Sequence, residues 1–267
     1  MTVNRAEIIA ELQSDIFRLE GFRPTNSHVV DLGLGPISEA FPNSSFPQGA
    51  VHEFLSAHAE DATATSGFIA GLLSPLMGNI GTVLWISSSR TLFPPALKSF
   101  GIQPDRVIFV DLKNEKHILW AMEEALKCAA LTAVVGEMRE ISFTTSRRLQ
   151  LAVEQSKVTG FVLRHHPRKV NPTACVSRWK ITPLPSEIVD DLPGIGFPQW
   201  KVELLRIRNG RAGVWNVKWK EGGFVASQAS LHKSNYAAAR MPLQASLDKS
   251  NFVAAHIPSQ ASLDKAG

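Results

Sequence analysis

An apolar run, Val51-His52-Glu53-Phe54-Leu55, is followed by Ser56-Ala-His58-Ala-Glu60-Asp61-Ala-Thr63-Ala-Thr65 and then by a helical stretch. A strand, a loop and a helix in that order can hold phosphate groups on backbone N–H donors at the helix N-terminus. That chemistry needs glycines, so that the backbone wraps an anion, and a lysine that reaches the terminal phosphates. Residues 56–66 contain no glycine, and the first lysine of the chain is Lys98. Glu60 and Asp61 put negative charge where a triphosphate would bring its own. Asp61 or Thr63 is expected to cap the helix instead. Ser56, His58, Asp61 and Thr63 thus mark a degenerate nucleotide loop.

The metal side of such a site is equally bare. A magnesium-holding carboxylate belongs at the end of a later apolar strand, where Ala133-Val-Val-Gly-Glu137 offers Glu137 alone. Asp111 ends the run VIFVD, but one carboxylate at a strand end more often serves as a cap. His52-Glu53 lacks the second histidine of a zinc helix, and the adjacent His165 and His166 diverge on a strand. A Gly-x-Ser-x-Gly elbow is absent. The two cysteines, Cys128 and Cys175, form neither a disulfide framework nor a metal set, and Cys128 reads as a buried small apolar residue. These residues predict no enzyme activity, cofactor, metal or small-molecule substrate.

The elements that would position these residues alternate. Runs 50–55, 82–87, 107–112, 131–136 and 160–163 are short and almost continuously apolar, as strands buried on both faces of a parallel sheet must be. Helical stretches fall near 63–77, 91–100, 115–130 and 144–157. Such alternation predicts a doubly wound α/β sheet. After Arg164 the pattern changes: 177–182 and 202–217 read as an antiparallel extension, with Asn209-Gly210 as a tight hairpin turn. Residues 5–20 carry Ile8, Ile9, Leu12, Ile16 and Leu19 at helical spacing. The domain plan is an N-terminal helix and linker over 1–46, a core over 47–225, and a tail over 226–267. The tail repeats QASLxKSN with a period of 16 and is too polar to bury a face, so it reads as flexible or as a repeated docking motif.

Charge is distributed unevenly. Residues 1–138 hold 9 Lys and Arg against 15 Asp and Glu, whereas residues 139–220 hold 15 against 6. An acidic first half and a basic second half place a candidate interaction face on the second. Two clusters stand out there: Arg164, Arg168 and Lys169 after a core strand, and Arg206, Arg208 and Arg211 near the hairpin. They are expected to be exposed and to contact DNA phosphates or a protein surface, the alternative being solvated charge. The first cluster has no aromatic neighbour for base stacking. Of the six tryptophans most read as core. The N-terminus lacks a signal-peptide plan and no apolar run spans a bilayer, so a cytoplasmic protein with reduced thiols is expected.

Several phrases carry a family resemblance. Pro47–Phe54, the strand–helix–strand order over 131–164, Val176-Ser-Arg-Trp-Lys-Ile181 and Lys201–Arg211 resemble successive parts of the RecA core. LGPISEAFPNSSFPQGAVHEF, LWAMEEAL, AVVGEM and TTSRRLQLAVEQS are similar to ImuA, the RecA- and SulA-related accessory family of bacterial mutagenic translesion synthesis. The resemblance spans roughly residues 5–224 and implies a RecA-like fold with a degenerate nucleotide site. It also implies action beside an ImuB-type inactive Y-family polymerase homologue, an error-prone DnaE-type polymerase and RecA. No catalytic residue of the family is matched. SulA, a division inhibitor that binds FtsZ, is the alternative. In RecA the N-terminal helix packs on a neighbouring subunit, which makes residues 5–20 a candidate partner-binding element.

Overall fold

Five β-rich apolar runs too short for helices are separated by stretches of helical period, and a parallel sheet buries such runs on both faces. The computed structural model describes residues 30–187 and 196–226. The helix expected over 5–20 and the repeat tail lie outside these. The first half alternates β1 (Val51–Ser56), α1 (Ala59–Met77), β2 (Val83–Ser87), β3 (Val107–Asp111), α2 (Glu115–Leu126), β4 (Ala133–Met138), α3 (Phe143–Ser156) and β5 (Thr159–His165). Then β6 (Ser177–Glu187), β7 (Phe197–Ile207), β8 (Gly213–Lys220) and β9 (Gly223–Ala226) follow. All join one sheet in the order β3-β2-β4-β5-β1-β6-β7-β8-β9. Strands β3 to β6 run parallel, with His52 beside both Phe161 and Ser177, and β7 to β9 are antiparallel. The expected mostly parallel sheet with an antiparallel extension is what the chain forms.

Alternation along β1 divides the core. His52 and Phe54 face α1 in an aromatic layer where Phe54 stacks on Trp179 at 5.9 Å between ring centroids and Phe68 meets Trp200 edge-on at 6.1 Å. Leu32, Leu34, Ile37, Phe41 and Phe46 are buried in this same layer, so residues 30–46 pack on the core. Val51 faces the other way, with Leu149 and Val153 of α3 and Ile118 and Met122 of α2. Trp85, Trp179, Trp200 and Trp219 are buried and Trp215 packs at the margin, but Trp120 points away from the sheet on α2 and is 64% exposed.

Three local expectations change. The stretch 91–100 forms a 3-10 turn over Pro94–Phe100, because Pro94-Pro95 removes two backbone donors and Gly101 ends it in a left-handed conformation. Helix α2 stops at Leu126, which leaves Cys128 exposed in the connection to β4 instead of buried. The β7–β8 connection is wider than a two-residue Asn-Gly turn, with Leu204 paired to Gly213. Here the turn docks on the chain: Arg211 N–H donates to the Ala40 carbonyl, and a Cβ at Gly210 would clash with that oxygen.

Candidate functional site

The loop after β1 is closed by the protein's own carboxylate. Helix α1 begins at Ala59, earlier than its apolar periodicity indicates, and Asp61 in its first turn accepts from the Ala57 and His58 N–H groups, each at 3.2 Å. These are donors that an anion cradle would turn toward phosphate. Of the two capping candidates Asp61 does this work; the Thr63 hydroxyl instead donates to the Ala59 carbonyl. Ser56 is buried against Thr65, and His58 stands at the helix N-cap.

Glu137, at the end of β4, is also engaged internally. It accepts from Trp85 Nε1 at 2.6 Å and lies 3.0 Å from His165 Nε2. A cavity of about 980 Å³ opens above these residues at the C-terminal ends of the strands, walled by Thr63 and Gly67 of α1, by Phe93 and Phe100, and by Glu137, His165 and Trp200. It lies where doubly wound sheets bind ligands, yet its walls carry one arginine and no lysine. Among the described residues no group of three or more His, Cys, Asp or Glu side chains is placed to hold a metal ion.

The first cationic cluster divides. Arg168 and Lys169 are exposed as expected, but Arg164 is completely buried and unavailable to any ligand. Its Nη1 donates to Glu53 Oε1 at 2.8 Å, and its Nη2 to Glu140 Oε2 at 2.7 Å and the Lys169 carbonyl at 2.9 Å. The physical reason is Glu53, a fully buried carboxylate on the middle strand. Burying that charge demands partners, and Thr173 Oγ1 and Arg178 Nε supply two more, at 2.9 and 2.7 Å. Arg164 therefore tethers the segment after β5 to the sheet.

The second cluster stays at the surface. Arg206 is exposed on β7, with Nη2 donating to the carbonyls of Cys175 at 2.8 Å and Thr173 at 3.1 Å. Arg208 is half-buried beside it and Arg211 is exposed past the turn. Next to them, an open groove is bounded by Phe143 and Arg147 of α3 and by residues 173–176.

Sequence reasoning passed over Glu53, Phe143 and Arg147. A carboxylate in the run VHEFL was a signal for Glu53, since an unpaired charge cannot stay there. The other two had no comparable signal.

The buried polar groups around His52 are satisfied by a relay. The Pro47 carbonyl can only accept, so His52 Nε2 donates to it at 2.8 Å, leaving Nδ1 to accept from Ser177 Oγ at 2.6 Å. Ser177 in turn accepts from Trp179 Nε1 at 2.6 Å. Burial pushes the His52 imidazole down to about 4, against the Pro47 hydrogen bond. Burial, with the Glu53 charge nearby, pushes the Cys175 thiol up to about 12.

No helix among the described residues is long and apolar enough to cross a membrane. No protein-family model matches the chain. Among solved structures it resembles the RadB recombinase, with a TM-score of 0.51 and 14% identity over 73% of this chain and 98% of that one, a likeness of fold alone. It is 26% identical over 149 residues to the cell division inhibitor SulA of Yersinia pestis, covering 55% of this chain and 86% of that protein. With protein ImuA of Caulobacter vibrioides it shares 35% identity over 217 residues, covering 77% of this chain and 89% of the relative. On that extent and identity, carried by a RecA-like sheet, the chain belongs to the ImuA family.

Proposed function

We propose that the chain is a non-catalytic accessory protein of DNA-damage-induced, error-prone translesion synthesis, acting in the cytoplasm by binding other proteins. Its expected partners are an ImuB-type Y-family homologue, an error-prone DnaE-type polymerase and RecA. One observation carries the non-catalytic reading: the Asp61 carboxylate occupies the N–H donors that a nucleotide phosphate would need. With no lysine or glycine in residues 56–66, nothing in the loop competes with it. Membership of the ImuA family supports the pathway. A SulA-like role in blocking division is the second reading, and the shorter likeness to SulA favours it less.

Deleting the gene is expected to lower damage-induced mutation frequency while division stays normal. Filamentation on overproduction, with unchanged induced mutation in the deletion strain, would transfer the protein to the division-inhibitor reading. The purified chain is expected to show no ATP turnover. Turnover that a single substitution in residues 56–66 abolishes would overturn the non-catalytic half.

A further inference from the structure

On the face of the sheet that carries α2 and α3, away from the cavity over the strand ends, a groove of about 410 Å³ runs between α3, the start of β6 and the end of β7. Its floor includes Val176 and Ile207, and its walls carry Arg147, Arg206 and Arg208 with no carboxylate. Phe143, in the first turn of α3, lines it and is 56% exposed. The scaffold is fixed: Ser146 Oγ accepts from the Ala174 N–H at 2.9 Å, the Arg208 N–H donates to the Val176 carbonyl at 2.9 Å, and Arg206 is pinned by two carbonyls. Neighbouring Arg148 pairs with Glu123 at 2.6 Å, whereas among the described residues the Arg147 and Arg208 guanidinium groups have no hydrogen-bond or ion-pair partner.

We infer that this groove binds single-stranded nucleic acid, with a base stacked on Phe143 and the flanking phosphates held by Arg147, Arg206 and Arg208. Three features select that ligand. Guanidinium forks bind phosphate oxygens in pairs and also stack on bases. An exposed ring beside them is a sequence-tolerant platform, and only an unpaired strand offers it a free base face. Exposed cations also continue beyond the groove, Arg168 and Lys169 on the segment leading into it and Arg211 past the turn. A polyanionic strand can engage the three arginines of the groove together, whereas a single acidic side chain would use only one of them. The inference takes its biological setting from the proposed DNA-damage role, but its test is separate.

The test is fluorescence anisotropy of the full chain with a fluorescein-labelled oligothymidylate of about 20 nucleotides, over a series of salt concentrations. Binding is expected to weaken linearly in log–log form with salt. Arg147→Ala with Arg208→Ala is expected to reduce affinity at least tenfold at low salt and to flatten the slope by about 1.4, or about 0.7 per phosphate contact on a single strand. Phe143→Ala is expected to weaken binding roughly 5- to 150-fold with the slope unchanged, since a stacked base is worth about 1–3 kcal/mol. Both sites are at the surface, and an unchanged thermal melt confirms that the variants fold. Arg90→Ala, at the far edge of the sheet where Arg90 pairs with Asp111, is expected to bind like the unmodified chain. Absence of binding at low salt overturns the inference, as does a loss in Arg90→Ala equal to that in the groove variant, which would mean diffuse surface charge. Unaltered affinity in Phe143→Ala, or displacement by poly-glutamate as effective as by unlabelled oligonucleotide, also overturns it and gives the groove to an acidic protein segment. A normal induced mutation frequency in the deletion strain sinks the pathway reading and leaves the binding result standing.

Discussion

Replacing Arg164 by alanine removes the cation that pins Glu53, Glu140 and the Lys169 carbonyl together. Both Arg164 and Glu53 are fully buried, so neither water nor salt can take over the lost interaction. Removing one member of a buried pair costs about 3–5 kcal/mol, because the remaining charge stays desolvated. Glu53 keeps Arg178 at 2.7 Å and the Thr173 hydroxyl at 2.9 Å, which places the expected loss near the lower end, about 3 kcal/mol. For a body of this size that corresponds to a melting temperature lower by roughly 6–12 °C. Urea denaturation with a shared m-value measures it, and the double variant with Glu53→Gln sharpens it. Because the second change removes the stranded charge, the pair is expected to cost less than the sum of the two singles by about 1–3 kcal/mol. A loss below about 0.5 kcal/mol in Arg164→Ala, the usual size for a surface arginine, would refute the buried-tether reasoning.

Three further outcomes follow from the same geometry. The His52 imidazole is neutral when folded and held at about 4, while unfolded it titrates at 6.5, so the unfolded chain binds the extra proton. His52 therefore contributes full stability above pH 6.5 and loses about 2 kcal/mol of it between pH 7.5 and 5; urea titrations at both values should show that slope, and His52→Gln should lack it. Native protein should react with one equivalent of a thiol reagent, at exposed Cys128, and unfolded protein with two, whereas fast native labelling of Cys175 would contradict its burial and raised thiol. Asp61→Ala should lower stability by about 1 kcal/mol through loss of the first-turn cap without creating ATP affinity, which calorimetry with ATP would measure.

Much of the sheet was legible in the chain because its strands are local apolar runs with turn signals between them. Val83–Ser87 and Ala133–Met138 form within two residues of where their runs place them. The Asp61 cap was legible too, since an acid in the first turn of a helix has one obvious use. Arg164 was not. From the phrase RHHPRK its guanidinium is indistinguishable from Arg168, and only the partner 111 residues earlier in β1 decides that one is buried and the other exposed. The groove was hidden for a similar reason: Phe143 and Arg147 on one helix meet Arg206 near the end of β7 and Arg208 just past it, some 60 residues later, a proximity created by sheet order and not by spacing.

The central place of β1 has a consequence for how the chain is made. Its two neighbours, β5 and β6, pair Val51 with Gly160 and His52 with Ser177, so both flanks of the strand lie more than a hundred residues downstream. During synthesis β1 leaves the ribosome long before either, and contacts of such sequence separation form slowly. The Glu53 carboxylate cannot be desolvated until Arg164 and then Arg178 have emerged to neutralise it. The nascent chain thus holds its middle strand in water until roughly two thirds of its length has been translated. Folding of the sheet is thereby timed to the arrival of β6, and a chain released before Ser177 should melt without a cooperative transition.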